Sequence, residues 1–248
     1  MRVDVCFSPP QLTPAYVTGR VVAVIDVLRA STSITVALFN GARLVVPFAE
    51  TEEVIRRAKA FERSEVLLAG ERRMLPIAGF DIGNSPAEFS PGAVGGKAVL
   101  LTTTNGTQAL LALQGARDVV VASYVNFAAA LALLRTALRG QTDVTLLCAG
   151  RERQFALEDA ACAGRFARAL VGRGGGVDIN DAARASMMID RRYGDRVDRV
   201  FADSEHGQAL AQAGYGSDLA ACAAVDSYPV IPVFQDRQIT KLGPDRER

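Results

Sequence analysis

The stretch VVAVIDVLRASTSITVALF, residues 21–39, decides the fold class because its character changes in the middle. Its first part, Val21–Ile25, is apolar throughout, as expected of a strand that is covered on both faces. Residues 32–39 then follow a helical pattern, and Gly41 stands where a helix C-cap belongs. A buried strand that leads into a helix is the repeating unit of a layered α/β domain.

The same alternation continues along the chain. Further apolar runs predict strands at residues 44–46, 66–68, 98–101, 119–121 and 144–147. Helical patterns lie between and after them, at residues 52–61, 107–113, 127–138 and 157–171. We therefore expect a layered α/β/α fold around a mainly parallel or mixed central sheet.

The chain becomes more helical towards its carboxyl end. Helical patterns span residues 181–191, 204–213 and 217–224. Residues 230–234 read as a late strand, and Pro229 and Pro232 predict that it is an edge strand or an irregular one.

Two arrangements of domains fit these patterns. In the first, residues 1–171 form an α/β core and residues 177–240 form a helix-rich part packed on it; in the second, both belong to one continuous domain. The glycine-rich segment 172–176 marks the boundary or forms a long turn. Residues 244–248 are polar, and we expect a frayed tail there.

Composition excludes several classes of protein. With 28 basic and 27 acidic residues, the net charge of +1 is too small for a nucleic-acid or membrane-surface protein. No apolar run approaches the roughly 20 residues of a membrane span, and the amino terminus lacks a signal-peptide pattern. The 4 cysteines form no CxxC pair, which argues against zinc and dithiol chemistry. We expect a cytoplasmic protein that acts on a small molecule, and its alanine-rich helices leave a homo-oligomer open.

Acidic residues cluster where a site is expected, because ligands of open α/β sheets bind outside the carboxyl ends of the strands. Asp26 and Glu71 follow predicted strands, and Glu158 and Asp159 begin a predicted helix, while Asp81 lies in the turn-like segment 79–86. Each also has an ordinary explanation, such as an ion pair between Asp26 and Arg29, turn chemistry or the helix dipole. Magnesium prefers oxygen ligands and needs only one or two carboxylates, so these acids are candidate ligands.

The segment TTTNGT, residues 102–107, is the candidate anion site. Its hydroxyls, its backbone N–H groups and Gly106 precede a predicted helix, which suits a phosphate; the alternative is a helix cap without a ligand. Arg29 can clamp a phosphate or sulfonate. The single histidine, His206, is more typical of a surface or capping residue than of a general acid, and Cys162 is expected to be buried.

Taken together, these segments resemble one family, the 2-phosphosulfolactate phosphatases of coenzyme M biosynthesis. The matching segments are DVLRASTSI (26–34), AGER (69–72), GFDIGNSP (79–86), TTTNGT (102–107), CAG (148–150) and LEDAACAG (157–164), with a weaker match at SEHG (204–207), Asp218 and Cys222. The resemblance covers roughly residues 1–235, and its specificity lies in the order and spacing of the segments. It implies hydrolysis of 2-phospho-3-sulfolactate to 3-sulfolactate and phosphate, a Mg²⁺ cofactor and an α/β/α fold.

The resemblance also implies roles for individual residues. The expected Mg²⁺ ligands are Asp26, Glu71, Asp81 and Asp159, and the expected catalytic residues are Asp26, Arg29 and Glu158. The expected substrate-binding residues are Thr103, Thr104, Asn105 and Gly106 for the phosphate, with Arg72 or Arg151 for the sulfonate or carboxylate.

Three questions stay open at this stage. The charged loop 151–154 departs from the family pattern, so the substrate is either the sulfolactate ester or another small phosphorylated hydroxy acid. A non-catalytic protein that binds a phosphate or sulfonate metabolite is the other alternative. The phosphoryl group is attacked either by water or by a carboxylate, for which Asp26 is the first candidate.

Overall fold

A single sheet of 11 strands forms the centre of the computed structural model, which describes residues 1–172 and 176–243. The strands are β1 (Arg2–Cys6), β2 (Val21–Ile25), β3 (Leu44–Phe48), β4 (Val66–Arg72), β5 (Leu75–Pro76), β6 (Ala98–Thr102), β7 (Asp118–Ala122), β8 (Val144–Cys148), β9 (Asp178–Ile179), β10 (Pro232–Gln235) and β11 (Gln238–Lys241). Their order across the sheet is β5-β4-β6-β3-β11-β10-β7-β2-β8-β1-β9. The middle of the glycine-rich segment, residues 173–175, and the expected frayed tail, residues 244–248, lie outside the described residues.

Two blocks of parallel strands make up most of this sheet. One block contains β4, β6 and β3, and the other contains β7, β2, β8, β1 and β9. Between the blocks lies the antiparallel hairpin β10–β11, in which β10 pairs with β7 and β11 pairs with β3. The prediction of an α/β fold with a mainly parallel or mixed sheet is therefore confirmed.

The edge alternative for the strand near residue 232 is wrong, because β10 lies in the interior of the sheet; the irregular alternative stays open. Pro232 is the first residue of β10 and lies opposite Lys241, while the pairing with β7 begins only at Val233, opposite Val120. A proline at the first position of a strand leaves the rest of the hydrogen-bond ladder intact.

Helices cover both faces of the sheet. They are α1 (Ala30–Phe39), α2 (Thr51–Ala58), α3 (Pro91–Val94), α4 (Gly106–Leu111), α5 (Phe127–Arg139), α6 (Leu157–Val171), α7 (Asp181–Tyr193), α8 (Val197–Asp203), α9 (Glu205–Gln212) and α10 (Gly216–Ala223). Among the described residues, none of these helices combines the length and the apolar character that a bilayer crossing requires.

The core consists of two main layers separated by the sheet. Along β2, Val21, Ala23 and Ile25 belong to one hydrophobic cluster, while Val22 and Val24 belong to the other. Leu134 of α5 and Phe166 of α6 pack in the first cluster, and Ile34 of α1 and Leu110 of α4 pack in the second. This division is why the apolar run at residues 21–25 does not alternate: both of its faces are covered.

The segments that follow two distant strands of the sheet meet at the site. Four strands separate β6 from β2, so a flat sheet would hold them roughly 24 Å apart at about 4.8 Å per strand. Gly106, which follows β6, nevertheless lies against Asp26, which follows β2: a Cβ atom on Gly106 would stand 2.7 Å from Asp26 Oδ2. The segments beyond the carboxyl ends of the two parallel blocks therefore reach the same place.

Candidate active site

A cavity of about 230 Å³ lies at the carboxyl ends of the parallel strands. Loops after β2, β6 and β8 and the end of β4 each contribute polar side chains to its wall, and α9 contributes His206. This position is the one expected for the ligand site of an α/β sheet. Nine polar or charged residues that carry the argument line it: Asp26, Arg29, Glu71, Arg73, Thr103, Thr104, Asn105, Arg151 and His206.

Asp26 is held at the wall of the cavity by the turn between β2 and α1. Its Oδ1 accepts a hydrogen bond from the Ala30 N–H (3.3 Å), and only 5% of the residue is exposed. Burial raises the pKa of Asp26 to about 6; His206 opposes this shift, and Glu71 and Glu158 add to it. A carboxylate in this setting gains from any cation that enters the cavity.

Three further carboxylates are buried beside Asp26: Glu71, Glu158 and Asp159. Both Asp159 oxygens accept backbone hydrogen bonds, from the N–H of Val27 (2.9 Å) and the N–H of Gly150 (3.0 Å). Burial raises the pKa of Asp159 well above its usual value, and the charges of Asp26 and Glu158 add to the shift. Asp159 thus ties two strand ends together from behind the cavity wall.

Glu71 occupies donors of the threonine-rich segment. Its Oε1 accepts from the Thr104 N–H (2.7 Å), and its Oε2 accepts from the Thr104 hydroxyl (3.1 Å) and the Met74 N–H (2.8 Å). Thr103 and Thr107 cap each other, since the N–H of each donates to the other's Oγ1 at 3.2 Å. The N–H groups of Thr103 and Thr104, which were expected to bind phosphate, therefore already donate to Thr107 Oγ1 and Glu71 Oε1. The substrate-binding roles of these two residues, of Asn105 and of Gly106 stay predictions.

Arg29 does not form the expected ion pair with Asp26. Its guanidinium donates to Asp218 Oδ2 (2.7 Å) and to the Met74 carbonyl (2.9 Å), and it lies 4.3 Å from the centre of the Tyr215 ring. A guanidinium carries five N–H donors, so these contacts fix its orientation and leave donors for an anion in the cavity.

Glu158 and His206 form a contact that the sequence did not reveal. His206 Nδ1 lies 3.1 Å from Glu158 Oε1, and Glu158 Oε2 has no hydrogen-bond partner among the described residues. Cys162, one turn further along α6, is fully buried as predicted, and burial raises the pKa of its thiol well above the usual range.

Five predicted site residues are not among those that line the cavity: Arg72, Asp81, Gly106, Glu158 and Asp159. Two of them, Asp81 and Arg72, are bound elsewhere. Asp81 forms an ion pair with Arg63, and its Oδ2 accepts from the Leu68 N–H (2.8 Å). Arg72 donates to Thr102 Oγ1 (2.9 Å) and to the Ala49 carbonyl (3.1 Å). Both residues therefore stabilise the structure around β4, and we leave both out of the proposed site.

Sequence reasoning also missed residues that the structure brings to the site. Arg73, beside Arg72 in the chain, lines the cavity, and its only signal was the pair of arginines after Glu71. Asp218 showed a weak family match, but nothing in the sequence linked it to Arg29. Ser85 donates to Asp218 Oδ1 (2.6 Å), which joins a third loop to this network.

The cavity can accommodate a magnesium ion only with help from other ligands. Within residues 1–172 and 176–243, no group of 3 or more His, Cys, Asp or Glu residues is placed to hold a metal. Asp26 and Glu71 nevertheless line the same cavity, and the charge of Glu71 raises the pKa of Asp26. Two carboxylates with water and a substrate phosphate are the usual ligands of Mg²⁺, so this pair fits such an ion.

The chain is similar to proteins of one family along most of its length. A family model described as 2-phosphosulpholactate phosphatase matches residues 6–237. A relative from Symbiobacterium thermophilum is 41% identical over 224 residues, which are 90% of this chain and 95% of the relative. A relative from Clostridium botulinum strain Alaska E43 is 33% identical over 98% of this chain and 100% of the relative. A relative from Microcystis aeruginosa is 35% identical over 94% of this chain and 96% of the relative. All three relatives carry the name probable 2-phosphosulfolactate phosphatase.

Proposed function

This chain belongs to the 2-phosphosulfolactate phosphatase family, and from that membership we propose that it hydrolyses 2-phospho-3-sulfolactate to 3-sulfolactate and phosphate. As a family member it is a phosphoric monoester hydrolase. The proposed reaction is the one that links the family to coenzyme M biosynthesis. The observation that carries the proposal is that five of the family segments (26–34, 69–72, 79–86, 102–107 and 204–207) contribute residues to one cavity, with Asp26, Arg29 and Glu71 on its wall.

The charges of the cavity match those of the proposed substrate, which carries a phosphate, a carboxylate and a sulfonate. Arg29 is buried and fixed by Asp218, so it suits the phosphoryl group, whose oxygens it can bind bidentately. Arg73 and Arg151 line the same cavity and suit the carboxylate and the sulfonate. Arg72, bound to Thr102 and Ala49, has no part in this assignment.

We propose Mg²⁺ as the cofactor, with Asp26 and Glu71 as its protein ligands. Both carboxylates are buried on the cavity wall, and their proximity leaves negative charge that a divalent cation offsets. When bound, the ion neutralises charge on the phosphoryl oxygens. Asp159 keeps a structural role, because it is not among the residues that line the cavity and it joins the Val27 and Gly150 N–H groups behind the wall.

We propose that Asp26 acts on the attacking side of the phosphorus in one of two ways. It accepts the proton of an attacking water, or it attacks phosphorus itself and forms an acyl phosphate. The two routes differ in a measurable intermediate. Rapid quench with labelled substrate traps an alkali-labile phospho-enzyme on the second route and none on the first.

Phosphate release from 2-phospho-3-sulfolactate tests the proposed function. We expect turnover by the purified protein with Mg²⁺, none in excess chelator, and recovery when Mg²⁺ is added back. Asp26→Asn should reduce turnover by at least about 100-fold, as expected for a group at the reacting atoms. Asp81→Asn is the matched control, because Asp81 lies outside the cavity, and it should retain turnover. Full activity in excess chelator would contradict the proposed Mg²⁺ cofactor. Phosphate release from other esters but not from 2-phospho-3-sulfolactate would contradict the proposed substrate.

Another small phosphorylated hydroxy acid is the second candidate substrate. The observation that favours it is the charged loop 151–154, which contacts the site through a hydrogen bond from the Glu152 N–H to Asn105 Oδ1 (2.9 Å). A panel of phosphorylated hydroxy acids with and without a sulfonate separates the candidates. Preference for the sulfonated member supports the first, and equal or better turnover of a sulfonate-free member supports the second.

A further inference from the structure

His206 is fixed at the cavity by the packing of two helices. It lies in the first turn of α9, where Ser204 Oγ accepts a hydrogen bond from the Gly207 N–H (3.0 Å). A Cβ atom on Gly207 would stand 2.0 Å from the Phe201 carbonyl oxygen, so α9 lies as close to α8 as a backbone allows. The His206 side chain, 11% exposed, lines the cavity from this position.

Glu158 sets the orientation of the imidazole ring. It projects from the first turn of α6, and 2% of its side chain is exposed. Because the Glu158 carboxylate accepts from Nδ1–H at 3.1 Å, Nε2 is the ring nitrogen that His206 has available for the cavity. A carboxylate that orients a histidine in this way recurs in enzymes that use the imidazole for proton transfer.

The unpartnered oxygen of Glu158 is a second, independent observation. Glu158 Oε2 is buried without a hydrogen bond from the described residues, and such a group costs folding free energy. In the next position, by contrast, backbone N–H groups satisfy both oxygens of Asp159. The arrangement instead directs the charge of Glu158 towards one imidazole nitrogen.

The chemistry of the proposed substrate needs a proton donor at the ester oxygen. The leaving group is a secondary alkoxide, which departs readily only when it is protonated as the bond to phosphorus breaks. The arginines of the cavity do not supply this proton, because a guanidinium does not deprotonate in proteins. The charged groups that share the cavity with His206 are Asp26, Arg29, Glu71, Arg73, Arg151 and Glu152.

We propose that His206 is a catalytic residue that protonates the ester oxygen of the leaving group through Nε2, and that Glu158 is the residue that positions it. This inference rests on the proposed phosphatase function. As water forms its bond to phosphorus, the P–O ester bond breaks, its electron pair passes to the ester oxygen, and that oxygen takes the Nε2 proton. The proton released by the attacking water restores the imidazolium, so one water is consumed and the alcohol and phosphate leave.

A sulfur-bridged substrate tests this role. In 2-phospho-3-sulfolactate whose ester oxygen is replaced by sulfur, the leaving thiolate needs no protonation, while every binding group is kept. We expect His206→Asn, whose amide can still donate to Glu158, to lose about 100- to 10,000-fold in kcat on the oxygen ester. On the sulfur ester the same variant should lose less than about 10-fold, because general acid catalysis contributes little there.

Glu158 and a control on α9 complete the experiment. Glu158→Gln should lower kcat on the oxygen ester with little change in KM, and this loss should shrink on the sulfur ester. Gln208→Ala, on α9 and exposed, should behave as wild type, and equal melting temperatures confirm that the variants fold. If His206→Asn lowers kcat equally on both esters, or lowers it on neither, the proposed role of His206 is overturned while the proposed phosphatase function stands. A wild-type protein without activity on the oxygen ester would overturn the proposed function and this inference with it.

Discussion

At the scale of single residues, Asp26 combines two opposing effects. Its burial raises its pKa to about 6 from an ordinary value of 3.8, so an ionised Asp26 is unfavourable in the folded protein. The same removal from water strengthens the attraction between this carboxylate and a cation that enters the cavity beside the phosphoryl group. Stability and activity are therefore opposed at this position, as is common in active sites.

This opposition predicts that Asp26→Asn stabilises the metal-free protein at pH 8. The folded-state pKa lies above that of the unfolded chain, so the cost of ionisation is fully present above pH 6 and disappears as the pH falls towards 4. The cost is on the order of 1–3 kcal/mol. Thermal unfolding in chelator at pH 8 and pH 5 measures it: the variant should melt higher at pH 8, and the difference should shrink at pH 5. A lower melting temperature for the variant at pH 8 would contradict the assigned burial.

Substitution of Asp218 should have the opposite effect on stability to substitution of Asp26. Its carboxylate is the buried partner of Arg29, with 3% of each side chain exposed, and it also accepts from Ser85. Asp218→Ala leaves the guanidinium without its counter-charge, which costs about 3–5 kcal/mol for a buried pair. Urea denaturation should show this loss, and KM should rise because Arg29 is no longer held. Asp198→Asn, at an exposed position on α8, is the control and should change neither quantity.

At the scale of elements, the contact between α8 and α9 decides where His206 lies. Alanine within a helix is ordinarily about 1 kcal/mol more favourable than glycine. At Gly207, however, the new Cβ would lie 2.0 Å from the Phe201 carbonyl oxygen, and backbone cannot yield as a side chain does.

We therefore predict that Gly207→Ala destabilises the protein and lowers kcat through displacement of His206. Gly216→Ala is the matched control: Gly216 begins α10, and a Cβ there would meet nothing within 4 Å. Differential scanning calorimetry should show a lower melting temperature for the first variant and an equal or higher one for the second. If both variants melt alike, the close approach of α9 to α8 is not rigid.

The sequence predicts the longer elements well because their patterns are local. The run at residues 21–25 and the helix at residues 157–171 appear with the same bounds in the structure. Burial on both faces leaves a continuous apolar run, and burial of one helix face leaves a helical period, so both patterns are readable in the sequence. Strands β1, β5, β9 and β11 and helices α3 and α8 are not among the predicted elements; β5 and β9, for example, span only two residues each, too few to show a periodic pattern. The interior position of β10 is not predicted either, because strand order is a property of pairing and Pro232 alone does not determine it.

The site follows the same rule. Residues that follow strands directly, such as Asp26, are predictable from topology, because carboxyl ends of parallel strands share one edge. The partners that decide what each residue does are not predictable in this way. Arg29 and Asp218 lie 189 positions apart, and Glu158 and His206 lie 48 apart. Asp81 shows the converse, since its motif suggested a ligand and its actual partner is Arg63.

At the scale of the whole molecule, the hairpin β10–β11 joins the two parallel blocks. Ile239 is fully buried in β11 and pairs with Val45 of one block, while Val233 in β10 pairs with Val120 of the other. The cavity draws its residues from both blocks, so the hairpin holds the two halves of the site in register.

We predict that Ile239→Ala destabilises the protein by about 2–5 kcal/mol, as expected for a large-to-small change in a core. Gln238→Ala, at the exposed neighbouring position, should cost less than about 0.5 kcal/mol. Urea unfolding measured by circular dichroism and by phosphatase activity should give coincident midpoints for the variant. Separate midpoints would mean that the two blocks unfold independently of the hairpin.

The order of the hairpin in the chain has a consequence for biosynthesis. During translation, the strands of both parallel blocks are made before residues 232–241, so the nascent chain carries the unpaired edges of β3 and β7 until the hairpin follows. Open strand edges of this kind invite pairing with other chains. The newborn polypeptide should thus depend on chaperones that shield those edges, and ribosomes stalled just short of residue 232 should display the most aggregation-prone form of the protein.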